Sequence, residues 1–234
     1  MLVLGMDTSG RDGSLALTEC SAGAAPRVLA ECHLKGREFS STLLPELDAM
    51  LRGQSLQATQ LGLIAVASGP GSFTGLRIGL ATAKAMVEAQ GTPLAAISVL
   101  EAVALANVRD GHAVAALDAQ RREIYWCEFE LRAGAIVEAG EQHLEGQKSF
   151  LSHLAARKQA CAVLTPDATV HAHLAEAGVA ASLVERPDAA VYARLGHERL
   201  LAGKTTAPEL LEANYIRRSD AEIYVAPKLG IPVE

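Results

Sequence analysis

The sequence repeats one order of predicted elements in its two halves: three strands, then helix, strand, helix, strand and helix. Short apolar runs predict the strands, and apolar positions spaced like one helix face predict the helices. The first half has predicted strands at 2–8, 14–20, 27–34, 61–68 and 93–98, and predicted helices at 41–52, after the loop near 70, and at 100–107. The second half has strands at 113–119, 123–131, 135–144, 161–165 and 182–186, and helices at 149–158, 169–177 and 188–202. A repeat this long is not a solenoid unit and predicts two similar α/β lobes, 1–110 and a reduced 111–234.

An aspartate ends the first strand of each half, Asp7 in GMDTS and Asp118 in ALDAQ. Two such lobes resemble the actin-like ATPase architecture of sugar kinases, Hsp70 and actin. The resemblance implies that both hairpins face a cleft and hold nucleotide phosphates with magnesium. Backbone N–H groups at 8–10 can bind an anion, and Asp7 can hold a hydrated Mg²⁺. The alternative, that Asp7 and Thr8 only end a strand and begin a turn, stays open.

A glycine-rich loop, GPGSFTGLRIG, joins the predicted strand 61–68 to a helix. It lacks the Lys and hydroxyl of a P-loop and the third glycine of a Rossmann loop, so it predicts no nucleotide site. Pro70-Gly71 fits a turn with positive φ at the glycine, and Ser72 or Thr74 can cap the helix. Small residues then recur at every fourth position: Gly75, Gly79 and Ala83. This stripe predicts close approach of another backbone, either from this chain or from a second one.

Composition narrows the class of protein. The net charge of −6 argues against a broad electrostatic surface for nucleic acid. The four cysteines are scattered without a CxxC pair, which predicts free thiols rather than disulfides or zinc. Neither a signal peptide nor an apolar run of the roughly 20 residues needed for a membrane span is evident. We therefore expect a cytoplasmic protein with no membrane partner.

The chain resembles the TsaB (YeaZ) family along essentially its whole length. The motifs that carry the resemblance are MDTS, LLPELDAML, GPGSFTGLRIGLATAKAM, ISVLEAVA, LDAQRREIYW and YIRRSDAE, in this order. The resemblance implies a non-catalytic subunit that pairs with a TsaD-like transferase and a TsaE-like ATPase. It further implies that the complex, with tRNA as its substrate, transfers threonylcarbamoyl to an adenosine beside the anticodon. In isolation, the surface that pairs with the transferase could pair with itself, so we expect a homodimer.

Three departures from relatives with catalytic activity, and one from TsaB members themselves, accompany this resemblance. TsaD-like proteins carry an HxxxH metal pair where this chain has Val99 and Val103. The Gly-Gly adenosine motif is replaced near 165–167 by Thr-Pro-Asp, and residues 120–122 put Gln-Arg-Arg in the second hairpin. Phe39 stands where many TsaB members have histidine. We expect no catalytic residue, no metal and no intrinsic cofactor, and the complex interface is left as the place for a nucleotide.

The predicted sites are therefore a vestigial hairpin and a partner surface. The hairpin consists of Asp7, Thr8 and Ser9. The predicted interface residues are Leu43, Leu44, Leu47, Leu51, Phe73, Gly75, Leu76, Gly79 and Ala83. Two alternatives remain: an ATP-binding kinase or hydrolase that uses Asp7, Thr8 and Asp118, and a purely structural homodimer.

Overall fold

The computed structural model describes residues 1–35 and 38–211, which form two mixed β-sheets with helices between and outside them. The strands are β1 (Leu2–Asp7), β2 (Gly13–Glu19), β3 (Arg27–Leu34), β4 (Leu61–Gly69), β5 (Leu94–Ser98), β6 (Gly111–Asp118), β7 (Glu123–Arg132), β8 (Ala135–Ala139), β9 (His143–Gly146), β10 (Ala162–Thr165) and β11 (Ser182–Leu183). The helices are α1 (Phe39–Gly53), α2 (Phe73–Gln90), α3 (Val99–Asn107), α4 (Gln147–Ala156), α5 (Ala168–Glu176) and α6 (Ala189–Leu201).

The two sheets have the same topology. The first runs β3-β2-β1-β4-β5, and the second runs β8-β7-β6-β10-β11, with β9 also paired to β7. In each sheet the first three strands pair antiparallel, the next strand pairs in parallel with the first, and the last pairs in parallel with that next strand. The predicted two-lobed α/β fold of the actin-like ATPase type is confirmed.

Side-chain alternation along the strands builds a five-layer structure. In β1, Leu4 and Met6 pack with α1 and α2 on the outer side, whereas Val3 faces the layer between the sheets. In β6, Val114 packs outward with α4 and α5, and Ala115 packs inward. Because helices cover both faces of each sheet, the central strands are almost continuously apolar.

The central layer contains one helix from each half, and each packs mainly on the sheet of the other half. Helix α6 lies on β1, β2, β4 and β5, while α3 lies on β6 and β7. Gly5 makes this possible, because a Cβ there would collide with the carbonyl of Ala189 at the start of α6. The proposed boundary at 110 thus separates the sheets but not their helices, and as a domain boundary it stays a prediction.

Most predicted elements lie within two residues of the observed bounds. The predicted strand 135–144 is wrong as a single element, because an irregularity at 140–142 divides it into β8 and β9, which pair one after the other with β7. The strand predicted at 182–186 ends at Leu183. Helix α1 begins at Phe39, two residues before the predicted start at 41, and Pro45 lies in its interior. The YIRRSDAE motif and the C-terminal residues 212–234 lie outside the described residues.

Candidate functional site: two topologically equivalent hairpins

The first hairpin is a buried polar turn that begins at the end of β1. Asp7, Thr8 and Ser9 are each at most 2 % exposed. The Asp7 Oδ1 accepts hydrogen bonds from the Ser9 backbone N–H at 2.7 Å and from the Ser9 hydroxyl at 2.5 Å. One carboxylate oxygen of Asp7 is therefore committed to the turn itself.

Helix α2 closes this hairpin from one side. The Thr8 hydroxyl donates to the Gly75 carbonyl at 2.8 Å, and the Ser72 N–H donates to the Ser9 carbonyl at 2.7 Å. A Cβ at Gly75 or Gly79 would lie well inside the 3.0 Å below which Cβ contacts are essentially never seen, against Thr8 in both cases. The two glycines thus pack against Thr8 of their own chain, Gly75 on its backbone and Gly79 on its side chain, so the approaching element comes from this chain.

The glycine loop itself differs in one respect from its prediction. The positive φ lies at Gly69, at 108°, and not at Gly71. Gly71 is needed for space, because a Cβ there would collide with the Ser9 carbonyl. Ser72 is the N-cap of α2 and accepts from the Gly75 N–H at 3.3 Å, so one of the two predicted caps is confirmed.

Arg186 closes the first hairpin from the other side, and sequence reasoning missed it. It lies in the connection between β11 and α6, and its Nε is 3.7 Å from Asp7 Oδ2. Its Nη2 donates to the Ser9 hydroxyl at 3.0 Å, and its guanidinium covers Gly10.

The phenol of Tyr192 on α6 is fully buried near this hairpin. Its burial, and then the charge of Asp7, raise the pKa of Tyr192 well above the ordinary value.

No local signal marks Arg186 as a site residue. The sequence around it, VERPDAA, shows only the N-cap of α6, where Asp188 accepts a hydrogen bond from the Val191 N–H. The hydrogen bond from Arg186 to Ser9 joins residues 177 positions apart. It depends on α6 crossing from the second half onto the first sheet, a feature that the repeat in the sequence does not contain.

The second hairpin has a different interior. Asp118 is half-buried; its Oδ1 accepts from the Gln120 N–H at 2.8 Å, and its Oδ2 accepts from the Thr169 hydroxyl at 3.3 Å. Its own N–H donates to Asp167 Oδ2 at 2.7 Å. Residues 120–122 in the turn all have positive φ, between 57° and 63°, and none of them is a glycine. This conformation is unfavourable for L-residues, and the Asp118 side chain holds the first of the three, Gln120.

These hairpins do not fit a magnesium–nucleotide pair. In the first, Ser9 and Arg186 engage both oxygens of Asp7, and the Arg186 side chain covers the glycine over which a phosphate would lie. In the second, three residues with full side chains form the turn, which prevents the close backbone approach that glycine allows. Asp7 and Asp118 thus occupy the predicted positions, and each is held by its own turn and by one residue from a distant part of the chain, Arg186 and Thr169 respectively.

The aligned metal positions of the TsaD-like proteins are part of the core. Val99 and Val103 lie on α3 and are fully buried between the sheets. Within residues 1–35 and 38–211, no group of three or more His, Cys, Asp or Glu side chains could hold a metal ion. All four cysteines are free thiols.

The predicted interface residues fall into two groups. Most are buried within the chain: Leu43, Leu47, Leu51, Gly75, Leu76, Gly79 and Ala83. Leu44 is the exposed leucine of α1, at 57 %, and Phe73 is half-buried with the Arg77 guanidinium 3.7 Å from its ring centroid. The buried members support α1 and α2 from below, and the interface itself stays a prediction.

Comparison with known proteins places this geometry in a family. The model of the TsaD family, described as tRNA N6-adenosine threonylcarbamoyltransferase, matches residues 23–227. A curated relative, the tRNA threonylcarbamoyladenosine biosynthesis protein TsaB of Bacillus subtilis, is 28 % identical over 95 % of this chain and 96 % of its own length. The chain belongs to this family, among its TsaB (YeaZ) members.

Two further TsaB-type proteins agree with this assignment. TsaB of Escherichia coli is 32 % identical over 133 residues, so that this chain spans 55 % of that relative's length. The solved structure of YeaZ from Pseudomonas aeruginosa superposes with a TM-score of 0.72 at 22 % identity and covers 91 % of this chain and 99 % of its own. That likeness concerns the fold. None of the helices in the described ranges combines the length and apolarity needed to cross a bilayer.

Proposed function

We propose that this TsaB-type chain is a non-catalytic subunit that binds a TsaD-like transferase and, with a TsaE-like ATPase, supports threonylcarbamoyl transfer to tRNA. The target is an adenosine next to the anticodon, and tRNA is the substrate of the complex. The observation that carries this proposal is the closed state of the first hairpin, where Arg186 and α2 cover Asp7 and Ser9. A chain of this family with that hairpin closed has a supporting role rather than an enzymatic one.

The names of the relatives support the pathway. The E. coli and B. subtilis proteins are named for tRNA threonylcarbamoyladenosine biosynthesis, and the family model is named for the transferase itself. The buried Val99 and Val103 support a division of labour in which the metal chemistry belongs to the partner. Any nucleotide that the complex requires would bind at the subunit interface.

The experiment is reconstitution with purified subunits. Transfer to tRNA is measured with cognate TsaD-like and TsaE-like proteins and the activated threonylcarbamoyl donor, with and without this chain. We expect product only when the chain is present, and none from the chain alone. Equal activity without the chain would contradict the supporting role, and product from the chain alone would contradict its non-catalytic nature.

The outer face of α1 and α2 is the surface that we propose for the partner and for the homodimer. Buried leucines and glycines hold the two helices against the sheet, and Leu44 projects from them into solvent. Leu44→Asp should weaken both homodimerisation and TsaD binding in sedimentation. The matched control is Leu201→Asp on α6, where the leucine is similarly exposed, at 60 %. An equal effect of both substitutions would contradict this choice of surface.

Substitution of Gly79 on α2 is not a clean test of this surface, because Gly79 is buried within the chain. Gly79→Leu would place a side chain against Thr8 inside the chain, so a loss of binding would report a damaged fold. A substitution at Leu44 avoids this ambiguity. The alternative function, an ATP-dependent kinase or hydrolase, requires tight ATP binding by the isolated chain that Asp7→Ala abolishes, which calorimetry with both proteins tests directly.

A further inference from the structure

The closed first hairpin contains its own counter-cation. Asp7 is 2 % exposed and ends a strand at the position where the actin-like architecture places a magnesium-binding carboxylate. A buried carboxylate needs a compensating positive charge, because low-dielectric surroundings strongly disfavour an isolated ion. In this chain the ion pair to Asp7 comes from Arg186, which reaches the hairpin from the connection before α6.

We propose that Arg186 replaces a hydrated magnesium ion at Asp7 and keeps the first hairpin closed to nucleotides. Its guanidinium pairs with Asp7 Oδ2, donates to the Ser9 hydroxyl at 3.0 Å and lies over Gly10. These are the three features of the hairpin that a metal-bound phosphate would use: the carboxylate, the hydroxyl and the uncovered glycine backbone. A guanidinium suits this role because it stays charged and holds several donors in one plane.

The attachment of α6 makes this replacement permanent in the folded chain. Three residues beyond Arg186, the Ala189 N–H donates to the buried Ser14 hydroxyl at 2.9 Å. The Ala189 carbonyl lies against Gly5, so the start of α6 is held directly on β1 and β2. The backbone that carries Arg186 is therefore anchored to the same lobe whose hairpin it closes.

The first test is a charge cycle in the intact protein, with urea unfolding as the readout. The variants are Arg186→Met, Asp7→Asn and the double substitution, and the matched control is Arg194→Met, which removes an exposed α6 ion pair to Glu198. We expect Arg186→Met to raise the unfolding equilibrium constant at least about tenfold more than the control. The double variant should be less destabilised than the sum of the single ones. An additive cycle, or an effect no larger than that of the control, would overturn the proposal.

The second test uses magnesium as the probe. Arg186→Ala opens the hairpin and leaves Asp7 without a counter-charge, so millimolar Mg²⁺ should raise its unfolding midpoint, with a further rise when ATP is added. The wild type should show neither rise. A wild-type response equal to that of Arg186→Ala, or no response by a folded Arg186→Ala, would overturn the replacement of magnesium by Arg186. These results are independent of whether the chain supports a TsaD-like partner.

Discussion

The first and second hairpins occupy equivalent places in two sheets of the same topology, yet their aspartates have different surroundings. Asp7 is buried and is held by Ser9 and Arg186, whereas Asp118 is half-buried and holds its own turn through the Gln120 N–H. The first hairpin is closed by residues from elsewhere in the chain. The second reaches its shape through unfavourable backbone angles at 120–122.

The different surroundings of Asp7 and Asp118 show that the same sheet topology does not give the same binding properties. The repeated topology brings an aspartate to the end of β1 and of β6, and by itself it would allow a nucleotide cleft. The neighbours of each aspartate then determine what it can bind. In this chain those neighbours bind both carboxylates, so neither of the two hairpins leaves its aspartate open to a ligand.

The largest expected effect is a loss of stability when alanine replaces a tightly packed glycine of the first lobe, compared with a loosely packed glycine of the second. Gly75→Ala places a Cβ against the Thr8 carbonyl, and neither backbone can move without disturbing the sheet. We expect a loss of about 3 kcal/mol in the free energy of unfolding, despite the better helix propensity of alanine. The control is Gly140→Ala in the second lobe, where the nearest atom would be 3.6 Å from the new Cβ. Its change should stay within about 0.5 kcal/mol, and similar urea midpoints for both variants would contradict this account.

The next effect compares the two aspartates directly. Asp7→Ala removes the ion pair to the half-buried Arg186 and two hydrogen bonds that Ser9 donates to a buried carboxylate, so we expect a loss of about 3 kcal/mol. Asp118→Ala removes bonds from more exposed groups and should cost about 1 kcal/mol. Thermal and urea unfolding of the two variants check the order. An equal cost would show that burial does not distinguish the hairpins.

A third prediction concerns pH and the sheet that carries the second hairpin. Burial in β7, followed by the Glu101 charge, raises the pKa of the Cys127 thiol from 9.0 to about 12. The unfolded chain therefore releases this proton at lower pH than the folded chain does, and the free energy of unfolding falls as pH rises from about 9 towards 12. The Cys127 contribution to this slope is at most about 1.4 kcal/mol per pH unit.

Cys127→Ala should flatten the pH dependence, measured by urea unfolding at about pH 8 and about pH 10. The control is Cys32→Ala in β3 of the first sheet. The Cys32 side chain is only partly buried, and this burial also raises the pKa of its thiol. We expect less flattening from the control. An unchanged slope in Cys127→Ala would show that this thiol ionises equally well in both states.

The smallest expected effect comes from placing a glycine in the turn of the second hairpin, as the first hairpin has at Gly10. Arg122 has a φ of 63°, and glycine adopts this angle without the penalty that a side chain incurs. Arg122→Gly should therefore stabilise the protein by about 0.5–1 kcal/mol, after the entropy cost of glycine in the unfolded chain. Arg109→Gly serves as the surface control and should not stabilise. Destabilisation by Arg122→Gly would mean that its side chain contributes more than its backbone angle costs.

Sequence patterns predicted most of the fold and half of the site. The apolar periods placed the helices and most strands within two residues, because periodicity depends on which side chains face a core. Asp7, Thr8 and Ser9 were found from the strand–turn pattern. Arg186 was not, since nothing in the local pattern marks it, and the break at Gly140 was missed although glycine inside a strand often marks a bulge.

The sequence by itself determined the repeated element order, the position of both aspartates and a cap of α2 at either Ser72 or Thr74. These features depend on residues a few positions apart, which local patterns record. Only the tertiary structure decided what surrounds each aspartate and which backbone lies against Gly75. Contacts such as that between residues 7 and 186 exist because α6 crosses to the first sheet, and no short-range preference of the chain encodes that crossing.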